Sequence, residues 1–343
     1  MLRRSRAFAQ VMQVMTTPVA VAFALASLQG CNKTEAPVPT AGPTGGVGGS
    51  SAPPPASKKT IGVSLLTLEN PFFKIMGDAM VEEGKKNGFD VIVTAGEKDA
   101  ARQKDQVNDF IVKKVSAIVL SPCDSRSVGT TISAANTAGI PVFTADIASL
   151  DTASKVVSHI ATDNYAGGKL AGKAMIDALN GKGKVAIIDF PEAESVLQRT
   201  KGFKEVLAGA KGLQIVAQLD GKAQRDEAYK TAQDILQKNP DLAGIFCIND
   251  PTAFGAVAAI EKAGRQGKVK IISFDGQLEA KQAIKDGKIY AEPIQYPARI
   301  GQMTIQAIVK YMAGEKVEAQ TLIPTTLYTK ADADKDPALA KAK

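Results

Sequence analysis

The 343-residue chain has one histidine, three cysteines and no tryptophan, and aromatic residues make up only 5% of it. Each shortage removes a class of function. A lone histidine, His159 in "VVSHIATD", cannot supply the spaced imidazoles of a metal site, and in an extended segment it reads as a structural hydrogen-bonding residue. The chain has no G-x-S-x-G elbow, no phosphate loop and no metal-spaced His or Cys cluster, so no residue is assigned to catalysis or to a metal, and no cofactor is implied. An enzyme is therefore not expected. Cys123 and Cys247 end apolar strand-like runs and read as buried thiols, too few for a disulfide framework. The formal net charge is +7, but the basic residues are scattered and form no stripe that would follow a nucleic acid.

Residues 1–30 have the layout of a secretory signal peptide. Arg3, Arg4 and Arg6 precede an apolar stretch from about Val19 to Leu28, which is too short and interrupted for a membrane span. The stretch closes on Leu28, Gln29, Gly30 and Cys31, which resembles a bacterial lipobox with Cys31 as the lipidated residue. Residues 31–58 are rich in Pro, Gly, Ala, Ser and Thr without apolar periodicity, the composition of a disordered tether. The expected location is the periplasm or cell envelope, with only a lipid anchor in the membrane.

From Thr60 onward, strand-like runs alternate with helix-period segments. The runs are 60–66, 91–96, 117–122, 141–146, 185–190, 215–220, 244–250 and 270–276. Strands followed by crossover helices give a parallel sheet covered on both faces, an α/β fold. The rhythm breaks near "VVSHIATDNYAGGKLAG" and again at "YAEPIQYPARIG", which fits two doubly wound domains with more than one crossing between them.

In such sheets ligands lie beyond the carboxyl ends of the strands, so the residues ending each strand are the informative ones. They are Asn70 with Phe72 and Phe73, then Asp124, Asp146, Glu192 or Glu194, Asn249 with Asp250, and Asp275. Asn70 and Pro71 also form a helix start, which places both rings on a first helical turn, about 100° apart. Amides and carboxylates beside aromatic surface suit a polyhydroxylated ligand: the polar groups pair with hydroxyls, and a ring covers the C–H face of a sugar. Asp and Asn after a strand also serve as caps and turn residues, so the set carries more weight than any member.

"ENPFF", "LSPCDSRSVG", "GIPVFTAD", "VVSHIATDNYAGG", "FCINDPTAFGA", "IISFDG" and "EPIQYPARIG" stand in the order and spacing of periplasmic ribose-type sugar-binding proteins. These are type I solute receptors of ABC importers, and the resemblance covers about residues 59–330. It implies two α/β domains joined by a three-crossover hinge, one from 59–161 plus 296–324 and the other from 162–295 plus 325–343. It further implies a monomer that closes around a small sugar or polyol and delivers it to a membrane permease. Carried over by position, Asn70, Phe72, Phe73 and Asp146 are contacts from the first domain, Asn249 and Asp275 from the second, and Gln295 from the hinge. At two positions where ribose receptors carry arginine, this chain matches Ile147 and Leu197, while Leu66 and Ala223 replace a small polar residue and a stacking aromatic. The resemblance therefore places altered specificity at Ile147 and Leu197, with Arg126, Gln198, Arg199 or Arg225 as candidates to restore a charged donor. A tethered sensor for a kinase or chemoreceptor, or a receptor for a non-sugar small molecule, is the alternative output of the same fold.

Overall fold

The computed structural model describes residues 59–340, so the leader, Cys31 and the tether lie outside the described residues. The order begins β1 (Lys59–Leu65), α1 (Pro71–Lys86), β2 (Phe89–Ala95), α2 (Ala100–Val112), β3 (Ala117–Leu120), α3 (Gly129–Thr137), β4 (Val142–Ala145) and β5 (His159–Thr162). It continues α4 (Asn164–Ala178), β6 (Gly183–Asp189), α5 (Glu194–Ala208), β7 (Leu213–Asp220), α6 (Arg225–Lys238), β8 (Leu242–Cys247), α7 (Asp250–Lys262), β9 (Lys270–Ile272), α8 (Leu278–Lys285) and β10 (Ala291–Pro293). Last come α9 (Pro297–Met312), β11 (Gln320–Ile323), β12 (Leu327–Thr329), α10 (Lys330–Ala333) and α11 (Pro337–Ala340).

The strands form two six-stranded sheets, ordered β11-β5-β4-β3-β1-β2 and β12-β10-β9-β8-β6-β7. Within each, five consecutive strands repeat the doubly wound order, with its reversal between β1 and β3 in one sheet and between β6 and β8 in the other. All pairings are parallel except that of β12 with β10. The central strands are apolar on both faces because helices cover both faces: every residue of β3 and β4 is buried. The chain passes between the sheets three times, after β5, after β10 and after β11.

The break in rhythm near residue 159 contains β5, which pairs beside β4 before the first passage. The short strands β10, β11 and β12 were not among the runs read from the sequence. β11 is an edge strand with a largely exposed pattern, so it lacks the apolar run that marks a covered strand. No helix among the described residues is long and apolar enough to cross a membrane. Cys123 and Cys247 are buried free thiols, and burial pushes the Cys123 thiol up to about 12. His159 is buried and bonded to the Thr144 hydroxyl at 2.9 Å, and burial lowers its pKa to about 4, so it is neutral at physiological pH.

Candidate functional site

Both reversals of strand order face one small cavity of about 30 Å³. From the side of the first sheet it is lined by Leu66, Asn70, Phe72, Phe73, Asp146 and Ile147. The side of the second sheet contributes Phe190, Ala193, Ser195, Val196, Arg199, Ala223, Asn249 and Asp275, with Gln295 beside the passage after β10. A roomier hollow of about 580 Å³ lies at the other end of the second sheet, around Ile271 and Ile289, but none of the enclosed, unpartnered polar atoms of the described residues belongs to its lining.

Helix starts put the amides in place. Asn70 caps α1: its Oδ1 accepts from the Phe72 amide at 3.0 Å, and Pro71 occupies the first helical position, where no N–H is needed. Asn249 caps α7 through a capping box with Thr252, its Oδ1 accepting from the Thr252 amide at 3.0 Å. In both residues the cap occupies the oxygen and leaves Nδ2 without a bond inside the described structure, free to donate into the cleft. Capping and ligand contact are thus compatible roles for one side chain. Phe72 and Phe73 stand edge to face, 5.1 Å between centroids and 81° between planes, and both line the cavity.

Three lining residues other than glycine sit at positive φ: Asp146 at 65°, Ala223 at 49° and Asp275 at 123°. Such backbone is costly for side-chain-bearing residues and gathers at functional sites. Here the conformation is held by neighbouring strands, the Asp146 amide donating to the Ile160 carbonyl at 2.8 Å and the Asp275 amide to the Pro293 carbonyl at 3.1 Å.

Arg199 is the cation of the site. Its Nε donates to Asn164 Oδ1 at 2.8 Å, its Nη1 to the Ile248 carbonyl at 2.7 Å and to Asp275 Oδ1 at 3.2 Å, and its guanidinium lies 3.8 Å from the Phe274 ring centre. Nη2 makes no bond inside the described structure. Glycines on both helices account for how an arginine reaches this point: α4 and α5 cross so closely that a Cβ on Gly168 of α4 would overlap the Arg199 carbonyl, and one on Gly202 of α5 the Tyr165 carbonyl. Asp275 Oδ1 also accepts from Gln295 Nε2 at 2.7 Å. Burial raises the Asp275 pKa, and Arg199 opposes that rise.

Asp146 differs. It is 3% exposed, its Oδ1 is enclosed with no partner, and no hydrogen bond reaches its carboxylate from the described residues. Burial pushes its pKa up to about 7, opposed by the field of Arg199 and reinforced by Asp275 and Glu194. Gln295 Oε1 is likewise enclosed and unpartnered. The cleft therefore holds two waiting acceptors, on Asp146 and Gln295, and three spare donors, on Asn70, Asn249 and Arg199. Hydroxyl groups, which donate and accept, complement such a set.

Asn70, Phe72, Phe73, Asp146, Ile147, Asn249, Asp275 and Gln295 converge on the cavity, and Leu197 does not. Ser195, Val196 and Arg199 present one face of α5 to the cavity, and Leu197, two residues before Arg199, lies about 200° away around the helix. Of the other polar strand-end residues, Asp124 closes its own turn by accepting from Arg126 and Ser127 amides, and Asp250 accepts from Ser273 Oγ at 2.6 Å and the Gln277 amide at 2.9 Å. Arg126, Gln198 and Arg225 are likewise engaged elsewhere, with the Pro191 carbonyl, Glu194 and Glu279. Phe190, Ala193, Ser195 and Val196, which follow β6, line the cavity without a sequence signal of their own, since three of them are apolar and the polar residues there are Glu192 and Glu194 beside Ser195. Among the described residues, no group of three or more His, Cys, Asp or Glu is placed to hold a metal ion.

The family described as "Periplasmic binding protein domain" matches residues 61–316. The ribose import binding protein of Bacillus subtilis is 33% identical over 271 residues, covering 79% of this chain and 87% of that protein. The D-apiose import binding protein of Paraburkholderia graminis is 33% identical, covering 78% of this chain and 86% of its own. Among solved structures, an ABC transporter solute binding protein from Bacillus halodurans with bound myo-inositol superposes with a TM-score of 0.76 at 29% identity, covering 81% of this chain and 96% of that one. Two sheets of matching strand order, a cleft at both switch points and a family match across most of the folded body agree, and the chain belongs to the periplasmic binding protein family.

Proposed function

We propose that this protein captures a small, neutral, polyhydroxylated ring, a monosaccharide or cyclic polyol, in the cleft between its two sheets and delivers it to an ABC-type permease. The observation that carries this reading is the buried, unpartnered Asp146 carboxylate beside two phenylalanine rings. A carboxylate in that setting needs hydrogen-bond donors from its ligand, and a ring's C–H face needs an apolar cover. Asp146 and Asp275 against Arg199 leave the lining formally negative, which disfavours an anionic ligand.

The apolar side chains of Leu66, Ile147, Val196 and Ala223 interrupt the polar ring of the cavity. The favoured ligand therefore turns a C–H or methyl edge toward them, as a deoxy sugar or a polyol with fewer hydroxyls on one side does. The import relatives, which bind ribose and D-apiose by name, support the sugar class and the transport role. The signal-like leader and the tether after Cys31 support an exported, lipid-anchored receptor.

A thermal-shift screen of the purified protein tests the reading, with pentoses, hexoses, deoxy sugars and cyclic polyols against amino acids and nucleosides. A ligand at a thousandfold above its Kd adds about 4 kcal/mol to stability. A shift with one or a few sugars or polyols is expected; a shift only with amino acids or nucleosides, or with nothing, overturns it.

A further inference from the structure

Helix α5 begins without a cap of its own. Its N-cap position is Ala193, which has no side chain to accept a hydrogen bond, although this helix carries Ser195, Val196 and Arg199 into the cavity. Its first amide is satisfied from the other half of the molecule: Glu194 N–H donates to the hydroxyl of Ser125 at 2.9 Å, and Ser125 lies in the loop after β3 of the first sheet. Ser125 is fully buried. Its amide donates across the same rim to the Glu192 carbonyl at 2.9 Å, while its carbonyl accepts from the Leu150 amide at 2.7 Å and ties it to its own side. Beside it, Arg126 Nη1 donates to the Pro191 carbonyl at 3.0 Å. Among the described residues the far rim has one such link, Gln277 Nε2 to Asn70 Oδ1 at 2.9 Å.

Ser125 and Arg126 do not line the cavity. A cap supplied by a helix's own chain persists whether a cleft is open or shut. A cap supplied across the cleft exists only when the two rims meet.

We propose that Ser125 is a positioning residue that caps α5 across the cleft, so that closing the cleft and ordering the helix that presents Arg199 are one event. This rests on the ligand-capture reading above and adds how the closed form is held. Because the bond belongs to the closed form, its loss acts on the escape of ligand and leaves the encounter unchanged.

The test is stopped-flow binding of D-ribose, D-apiose and myo-inositol to the purified protein, with amide hydrogen exchange on the first turn of α5. Ser125→Ala is expected to raise koff by about 5- to 10-fold with kon unchanged, and to speed exchange of the Glu194 amide. Arg126→Ala, an exposed side chain whose removal spares the core, should raise koff by about 3-fold and leave the Glu194 amide protected. Wild-type koff and wild-type exchange in Ser125→Ala overturn the proposal, as does a loss of affinity that lies wholly in kon. If none of the three probes binds the wild-type protein, the ligand reading fails for them, and exchange is compared with the compound that gives the largest thermal shift present at saturation: faster Glu194 exchange in Ser125→Ala upholds the proposal and equal exchange overturns it.

Discussion

Asp146 and Asp275 occupy corresponding places on the two sides of the cleft, each at positive φ just beyond a strand of its own sheet, yet their surroundings differ. Asp275 accepts from Arg199 and from Gln295, and the guanidinium is itself fixed by Asn164 and the Ile248 carbonyl. Asp146 accepts from nothing among the described residues. One side of the cleft is organised before a ligand arrives, whereas the other keeps a buried carboxylate whose partners must come from outside the protein. A preorganised wall sets orientation at little entropic cost, and an unsatisfied one makes the closed form depend on its contents.

The sharpest way to break that contrast is Asp146→Asn. Removing a carboxylate that receives charge-assisted bonds from ligand hydroxyls is expected to weaken binding by about a hundredfold, read by titration calorimetry. The same substitution should stabilise the ligand-free protein, since it relieves an unpaired buried charge. The sign of the pH dependence follows. Asp146 has a folded pKa of about 7, above the ordinary value of 3.8, so the folded state binds more protons across that interval and stability falls as pH rises from about 4 to about 7. Asp250, also raised to about 7 by burial, and Glu292, raised well above its usual range, act with the same sign. Chemical denaturation at pH 5 and pH 7.5 should show a smaller loss of stability in Asp146→Asn than in the wild type.

On the organised side, Gly168→Ala should displace the Arg199 backbone, costing about 1–3 kcal/mol of stability and roughly tenfold in affinity. Unchanged affinity there would mean that the position of Arg199 is not set by the α4–α5 crossing. Phe72→Leu keeps most of the buried volume, so its stability cost stays below about 1.5 kcal/mol, while loss of the flat ring lowers affinity for cyclic ligands several-fold. The smallest effect belongs to Leu197→Ala, which should leave Kd within about twofold because that side chain faces away from the cavity.

Residues 60–66 and 117–122 were legible as strands because burial on both faces leaves a continuous apolar run. The polar residues after those strands were legible because ligand sites gather there. Short edge strands such as β11, with exposed and buried residues mixed, leave no comparable trace. Leu197 and Arg199 show a different limit. A positional match points to Leu197, whereas side-chain direction on a helix depends on phase, and Ser195, Val196 and Arg199 line the cleft while Leu197 does not. The partnership of Arg199 with Asp275, 76 positions apart in sequence, depends on how close the α4 and α5 backbones approach, which becomes visible only in the folded packing.

The most direct test is a calorimetric titration of wild-type protein and Asp146→Asn with the sugar or polyol that gives the largest thermal shift. The account predicts one saturable site in the wild type and an affinity about a hundredfold weaker in a variant that is folded and at least as stable. Equal affinity in the two proteins would contradict it, because the ligand would then leave the one unpartnered carboxylate of the cleft untouched.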